Sequence, residues 1–343
     1  MLPRDVAAPL SHGGDLGAAR RLFPAAPEPF IDLSTGINPF PYPLPRLAPE
    51  LFARLPEPDE VERLAAVAAA AYGAPSPAHV VAAPGLQILL PMVAALAPAG
   101  RAAVLAPTFG EHARALALAG HAVREVARPG ELADADLAVV TNPNNPDGRL
   151  VAGETLLALA AALAPRLLVI DEAFMDASPQ ASLARETARP NLVVLRSFGK
   201  FFGLAGVRLG FALATPALAA RLRAALGPWA VSGPALAIGA AALADAAWIA
   251  ATRVRLAESA RRLDALLADA GLDVVGGTAL FRLARDAAAA DLFDRLGRAG
   301  IFVRRFADQP TWLRFGLPGA QAAWARLEAA LGVRAGRPAG KEK

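Results

Sequence analysis

From residue 79 onward the chain alternates short apolar runs with longer stretches of helical periodicity. The predicted strands are His79–Ala83, Ala102–Ala106, Ala122–Val126, Leu137–Thr141, Leu167–Asp171, Leu192–Arg196 and Arg208–Leu213. Most are rich in Val and Leu and lack a polar alternation, the pattern of strands covered on both faces. Helical segments such as Gly110–Ala119 and Gly153–Leu163 fall between several of them. This rhythm predicts an α/β domain of three layers, αβα, around a mostly parallel seven-stranded sheet. Ahead of it, the Ala-rich stretch Val61–Tyr72 predicts a helix that stops at Gly73.

The pattern changes near Pro216. Two Ala/Leu/Arg segments, 216–226 and 234–270, predict long helices. Short strands follow near 273–284, 301–304 and 312–317, with helices at 288–299 and 320–331. These describe a smaller α+β domain. At the other end Pro39, Pro41, Pro43 and Pro45 alternate, which favours extended backbone over helix. The expected organisation is an arm over residues 1–45 that packs with the small domain, a large domain over 46–225, a small domain over 226–335 and a disordered tail over 336–343.

Composition narrows the classes. With 343 residues, 55% of them hydrophobic, the chain can bury a substantial core and does not fit the profile of a disordered protein. The net charge of +4 comes without any basic run, so no nucleic-acid partner is expected. The longest uncharged stretch, His79–Gly100, is interrupted by Pro84, Gly85, Pro91 and Pro98, and the first residues lack a signal-peptide pattern. A cytoplasmic protein with no membrane partner is expected. There is no Cys, which removes thiol nucleophiles and Cys-held metals, and no metal site is expected. Among 35 basic residues only three are Lys, and two of those, Lys341 and Lys343, lie in the polar tail. The third, Lys200, sits among aromatics in Ser197-Phe198-Gly199-Lys200-Phe201-Phe202.

Ligands bind at the C-terminal ends of strands in open α/β sheets, so the polar residues just after each predicted strand are the candidates. Pro84-Gly85-Leu86-Gln87 opens a helix, and a helix start offers N–H groups and a positive dipole end to a phosphate. Phe109 and His112 follow the second strand, and a turn containing Asn145 follows the fourth. Asp171 ends the fifth strand, where a buried carboxylate calls for a cationic partner. After the sixth come Ser197 and Lys200, and Arg208 lies eight residues further on. A desolvated Lys amine has a lowered pKa and can attack a carbonyl to form a Schiff base. A carboxylate set against a pyridinium nitrogen keeps such a ring an electron sink, which is what pyridoxal 5'-phosphate needs from its protein.

In the order Asn145, Asp171, Ser197-x-x-Lys200, Arg208 the chain resembles the fold-type I pyridoxal-phosphate enzymes of the aspartate aminotransferase superfamily. The resemblance implies that Lys200 binds the cofactor covalently and that Asp171 pairs with the ring nitrogen. It implies that Asn145 bonds the ring hydroxyl oxygen, and that Phe109 and Ala173 cover the two ring faces. Gly85, Leu86, Gln87, Ser197 and Arg208 would hold the phosphate, and His112 would support Asp171 from behind. Two positions depart from the pattern: Phe174 stands where relatives have Tyr, and Leu55-Pro56 replaces Tyr-Pro.

His12-Gly13-Gly14-Asp15 and Ile31-Asp32-Leu33-Ser34-Thr35-Gly36-Ile37-Asn38-Pro39, with Leu55-Pro56-Glu57-Pro58 and Asp171-Glu172-Ala173-Phe174, are similar to the threonine-phosphate decarboxylase group of cobalamin biosynthesis. This group is close to the histidinol-phosphate aminotransferases, and Arg304 and Arg314 match the arginines that both use for anionic substrate. His12, Gly36, Asn38, Asn145, Arg304 and Arg314 are therefore expected to bind substrate. The implied activity is decarboxylation of O-phospho-L-threonine in a homodimer with active sites at the subunit interface. The alternatives are a histidinol-phosphate-type aminotransferase and a non-catalytic cofactor-sensing domain.

Overall fold

The computed structural model describes residues 12–332. The expected tail from 336 and the first eleven residues of the arm lie outside the described residues. Two compact units emerge. The first runs from Pro41 to Arg253; the second combines residues up to Phe40 with those from Val254 onward.

In the first unit a short helix, α1 (Glu50–Ala53), precedes α2 (Pro58–Tyr72). Helix α2 starts with a reciprocal capping box between Glu57 and Glu60 and ends at Gly73, whose φ of 76° only a residue without Cβ adopts at little cost. The central sheet consists of β2 (Val80–Ala83), β3 (Arg101–Leu105), β4 (Ala122–Val126), β5 (Leu137–Thr141), β6 (Leu167–Asp171), β7 (Leu192–Ser197) and β8 (Gly210–Leu213). All seven predicted strands are present. Their order is β2-β8-β7-β6-β5-β3-β4, parallel throughout except for β8, which is antiparallel to both its neighbours. Strands β5 and β6 are buried at every position, whereas β4 carries Arg124 and Glu125 because it is the edge.

Strand alternation sorts side chains to the two faces. Val139, Val169, Val193 and Leu195 pack with the helices Leu86–Ala94, Glu111–Leu118 and Pro216–Leu226. Asp171 shares the parity of Val169 and therefore this face. On the other face Phe211 of β8 meets Tyr72 of α2 edge to face, with ring centroids 5.5 Å apart.

Two expectations need correction. The segment 234–270 is two helices, Gly233–Ala244 and Ala246–Asp269, bent by 77°. Asp245 interrupts the apolar run, and its side chain accepts from Trp248 N at 2.9 Å, so it caps the second helix. The expected boundary at residue 226 also moves, because the helix Gly233–Ala244 packs on α2 and belongs to the first unit. Among the described residues no single helix is long and apolar enough to cross a membrane.

The second unit is built on a five-stranded sheet. Its strands are β1 (Ile31–Leu33), β9 (Asp273–Thr278), β10 (Phe281–Arg285), β11 (Ile301–Phe306) and β12 (Gln309–Gly316), in the order β1-β11-β12-β10-β9. The arm contributes β1, parallel to β11 with Ile31 opposite Ile301. Helices Leu16–Leu22, Ala289–Arg298 and Gln321–Leu331, with residues 254–269 of the helix Ala246–Asp269, complete the unit.

Candidate active site

The first unit gathers its candidates at the C-terminal edge of the parallel strands. Asp171 ends β6 and is 2% exposed. His112, equally buried in the first turn of Glu111–Leu118, donates from Nε2 to Asp171 Oδ2 at 2.8 Å. Ala173 N donates to the other oxygen, Oδ1, at 2.9 Å. The partners of Asp171 are thus an imidazole and a backbone N–H, in the place where a cation was expected. Phe109 stands edge-on to His112, with centroids 5.8 Å apart, so one short segment supplies both residues.

The turn before Leu86–Ala94 forms a cradle. Gly85 has a φ of 90°, and a Cβ built on it would stand 2.6 Å from Arg208 Nη2. A Cβ on Gly210 would lie 2.6 Å from Leu86 N. Only glycines allow the guanidinium and the β8 backbone to close on this helix start. Arg208 itself holds a left-handed φ of 56° and donates from Nη1 to Ala205 O at 3.0 Å. The first-turn N–H groups of Leu86 and Gln87 have no partner within the helix, and beside Arg208 they form a set of donors that fits a phosphate. The Gln87 side chain is engaged elsewhere, donating to Glu111 Oε2 at 2.8 Å, so Gln87 can offer its backbone to an anion. Gly85→Ala is expected to leave the fold intact and weaken phosphate-ester binding, because the new Cβ meets the far end of a flexible side chain. The left-handed φ adds a cost of about 1–3 kcal/mol. A melting curve and a pyridoxal phosphate titration check both parts.

Ser197 closes β7, and Lys200 follows within the single helical turn Phe198–Phe201. Lys200 is half-buried, with Nζ 5.7 Å from the centroid of the buried Phe174 ring. Asn145 follows β5 in a loop tied to that of Phe109: Thr108 Oγ1 donates to Asn144 Oδ1 at 2.6 Å, and Asn144 Nδ2 donates to Pro107 O at 2.9 Å. Thr108 and Asn144 were not candidates from sequence, although their position beside Phe109 and Asn145 was the available signal.

The second unit carries the remaining candidates. Arg304 of β11 and Arg314 of β12 are directly opposed across an antiparallel pair. Like charges in that relation repel, and one of the two is buried, so the pair favours an anion. Arg314 Nη2 donates to Ser34 O at 2.8 Å. Ser34 Oγ donates to Asp32 Oδ1 at 2.6 Å and accepts from Gly14 N at 2.8 Å, which fixes the segment after His12. Gly36 and Asn38 are buried in the turn that continues from Ser34, and Asn38 Oδ1 accepts from Phe40 N at 2.8 Å. His12 is exposed. Burial pushes Arg314 down to about 10, and the charge of Arg304 acts in the same direction while Asp32 opposes it. Burial also lowers Arg304.

A nearly parallel seven-stranded sheet ending in a carboxylate, a lysine and a glycine-lined anion cradle defines a class. Residues 61–326 match the family model for aminotransferase class I and II, and the chain belongs to that family. Within it, the chain is 45% identical over 327 residues to the threonine-phosphate decarboxylase of Pseudomonas aeruginosa, covering 94% of this chain and 97% of that one. It is 46% identical over 332 residues to the enzyme of the same name from Sinorhizobium sp, covering 95% and 98%. Histidinol-phosphate aminotransferases are more distant; one from Mycobacterium bovis is 37% identical over 284 residues, covering 76% and 74%. Among solved structures, histidinol-phosphate aminotransferase from Sinorhizobium meliloti in complex with pyridoxal-5'-phosphate superposes with a TM-score of 0.77 at 26% identity, covering 96% of each chain.

Proposed function

We propose that this chain is a pyridoxal-phosphate-dependent lyase that converts O-phospho-L-threonine to 1-aminopropan-2-ol O-phosphate and carbon dioxide, a step of cobalamin biosynthesis. The observation that carries the choice of decarboxylation is the 45–46% identity over nearly the whole chain to two threonine-phosphate decarboxylases, against 37% over 76% of it for the aminotransferase. The opposed Arg304 and Arg314 support a substrate with two anionic ends, because arginine binds carboxylate and phosphate equally well in bidentate fashion.

When bound, pyridoxal phosphate supplies the electron sink that makes a bond at the substrate Cα breakable. The Gly85–Gln87 helix start, Ser197 and Arg208 would hold its phosphate, and Phe109 and Ala173 would cover its ring. Asn145 meets the ring hydroxyl, with no phenol at Phe174 to share that work. Asp171, held by His112 and Ala173, presents a fixed negative charge to the ring nitrogen. Lys200 Nζ would hold the cofactor and would carry the proton that replaces the departing carboxylate at the substrate Cα. Arg304 and Arg314 take the two anionic ends, and His12, Gly36 and Asn38 line the same unit's substrate side.

A homodimer with interface active sites and a cytoplasmic location belong to the same proposal and rest on the resemblance. The exposed Leu44, Phe52, Leu55 and Trp229 of the first unit support a partner surface. The test is incubation of the purified protein with O-phospho-L-threonine and pyridoxal phosphate. Carbon dioxide release without a keto acid supports the lyase; turnover only with histidinol phosphate and a keto acid would move the activity to transamination. Binding of cofactor with no turnover of either substrate would leave a sensing domain.

Substrate affinity is expected to fall as pH rises through about 10, where Arg314 loses its proton. The sign for stability is opposite. The unfolded chain holds this proton to higher pH, so the fold is penalised while Arg314 is charged and regains stability as pH rises beyond about 10. KM for phosphothreonine and the melting temperature, both followed against pH, test the two directions.

A further inference from the structure

On the face of the sheet opposite Asp171 lies a charged cluster that the reaction does not use. Alternation turns Glu172 and Arg196, the neighbours of Asp171 and Ser197, away from the His112 side. Both are 2% exposed or less. Arg196 Nη1 donates to Glu172 Oε2 at 2.8 Å, and its Nη2 bonds Asp176 Oδ1. Its Cζ lies 4.4 Å from the centre of the Tyr72 ring. Glu172 also accepts from Ser182 Oγ at 2.6 Å and from Leu183 N at 2.7 Å, which closes the segment bearing Ala173 and Phe174 onto the end of β6. Arg253 Nε donates to Asp176 O at 2.8 Å, and its guanidinium lies 5.8 Å from the centre of the Phe201 ring, next to Lys200.

As a device for stability this cluster is poor. A buried ion pair is often no better than an apolar set of the same volume. Tyr72 Oη, Asp176 Oδ2 and Arg196 Nε have no hydrogen-bond partner among the described residues. Its placement is what distinguishes it. Three of its members adjoin groups of the proposed cofactor site: Glu172 lies beside Asp171 and Ala173, Arg196 beside Ser197, and Arg253 against Phe201, the neighbour of Lys200.

We propose that Arg196 and Glu172 are positioning residues that lock the ends of β6 and β7 together and thereby set Asp171 and Lys200 at a fixed separation for the cofactor. This rests on the pyridoxal-phosphate reading above. Glu172→Gln keeps the shape but removes the negative charge that faces Arg196, and Arg196→Lys cannot bridge two carboxylates. Both are expected to shift the pH midpoint of the visible absorbance of the holoenzyme by roughly one unit. Both should lower kcat by on the order of 10- to 10²-fold at unchanged KM, the scale of a small misplacement of reacting groups. Ser182→Ala removes one hydrogen bond to Glu172 and should shift the midpoint less, in the same direction, which keeps the test available if a charge variant does not fold. Asn191→Ala is the control: its Nδ2 bonds Ala160 O at 2.7 Å and Arg166 O at 2.9 Å at the opposite end of β7. It should lose stability and keep the wild-type midpoint. Cluster variants that fold and keep the wild-type midpoint and kcat overturn the positioning role alone. A wild-type protein that binds no pyridoxal phosphate overturns both this inference and the functional reading.

Discussion

Lys200→Ala is expected to abolish the yellow absorbance that the protein develops with pyridoxal phosphate near neutral pH, and to abolish carbon dioxide release. The chain has only two other lysines, Lys341 and Lys343. The truncation removes both the anchoring amine and the group proposed to carry the proton to Cα. A positioned proton carrier alone contributes about 10²–10⁴-fold, so the loss should be at least that large. The fold should survive, since Lys200 is only half-buried, with its amine 5.7 Å from the centre of the Phe174 ring. The outcome that sinks the assignment is a variant that keeps both the absorbance band and the wild-type rate.

The parts of this molecule that sequence made legible share a physical reason. β5, β6 and β7 are covered on both faces, so they stand out as uninterrupted apolar runs, and the polar residues that follow them fall at the ligand-binding edge. Strand β1 was hidden because it is three residues long and pairs with β11, some 270 positions away in the chain. The bend at Asp245 was hidden because one Asp in an apolar run reads as a tolerated polar residue until its cap to Trp248 is seen. Within the first unit, the candidate ligand-binding residues were legible by their place after strands. Glu172 and Arg196 were not, although two ionisable residues in buried strand ends are a signal in themselves: each must have found the other. The partner of Asp171 was foreseen as a cation, and His112 came to that place through the resemblance, since a lone histidine six residues after a predicted strand carries no spacing signal of its own.

The second large effect is expected from Asp171→Asn, and the geometry allows it to be separated from misfolding. The amide oxygen of Asn can keep the hydrogen bond from Ala173 N that Oδ1 now accepts at 2.9 Å. Its NH₂ then faces His112 Nε2, which accepts once the imidazole carries its proton on the other nitrogen. Shape and hydrogen-bond count are preserved, and only the negative charge is lost. Without it the ring nitrogen of the cofactor has no anionic partner, and the sink for the Cα electrons weakens. Removing one preorganised electrostatic contact of this kind costs about 10²–10³-fold in kcat. Cofactor should still bind, because the Gly85 turn and Arg208 are untouched, and KM for phosphothreonine should stay near the wild-type value because Arg304 and Arg314 are intact. Steady-state carbon dioxide release beside a pyridoxal phosphate titration separates the two. A fall in cofactor affinity with an unchanged kcat would make Asp171 a structural ligand of the pocket rather than the group that tunes its chemistry.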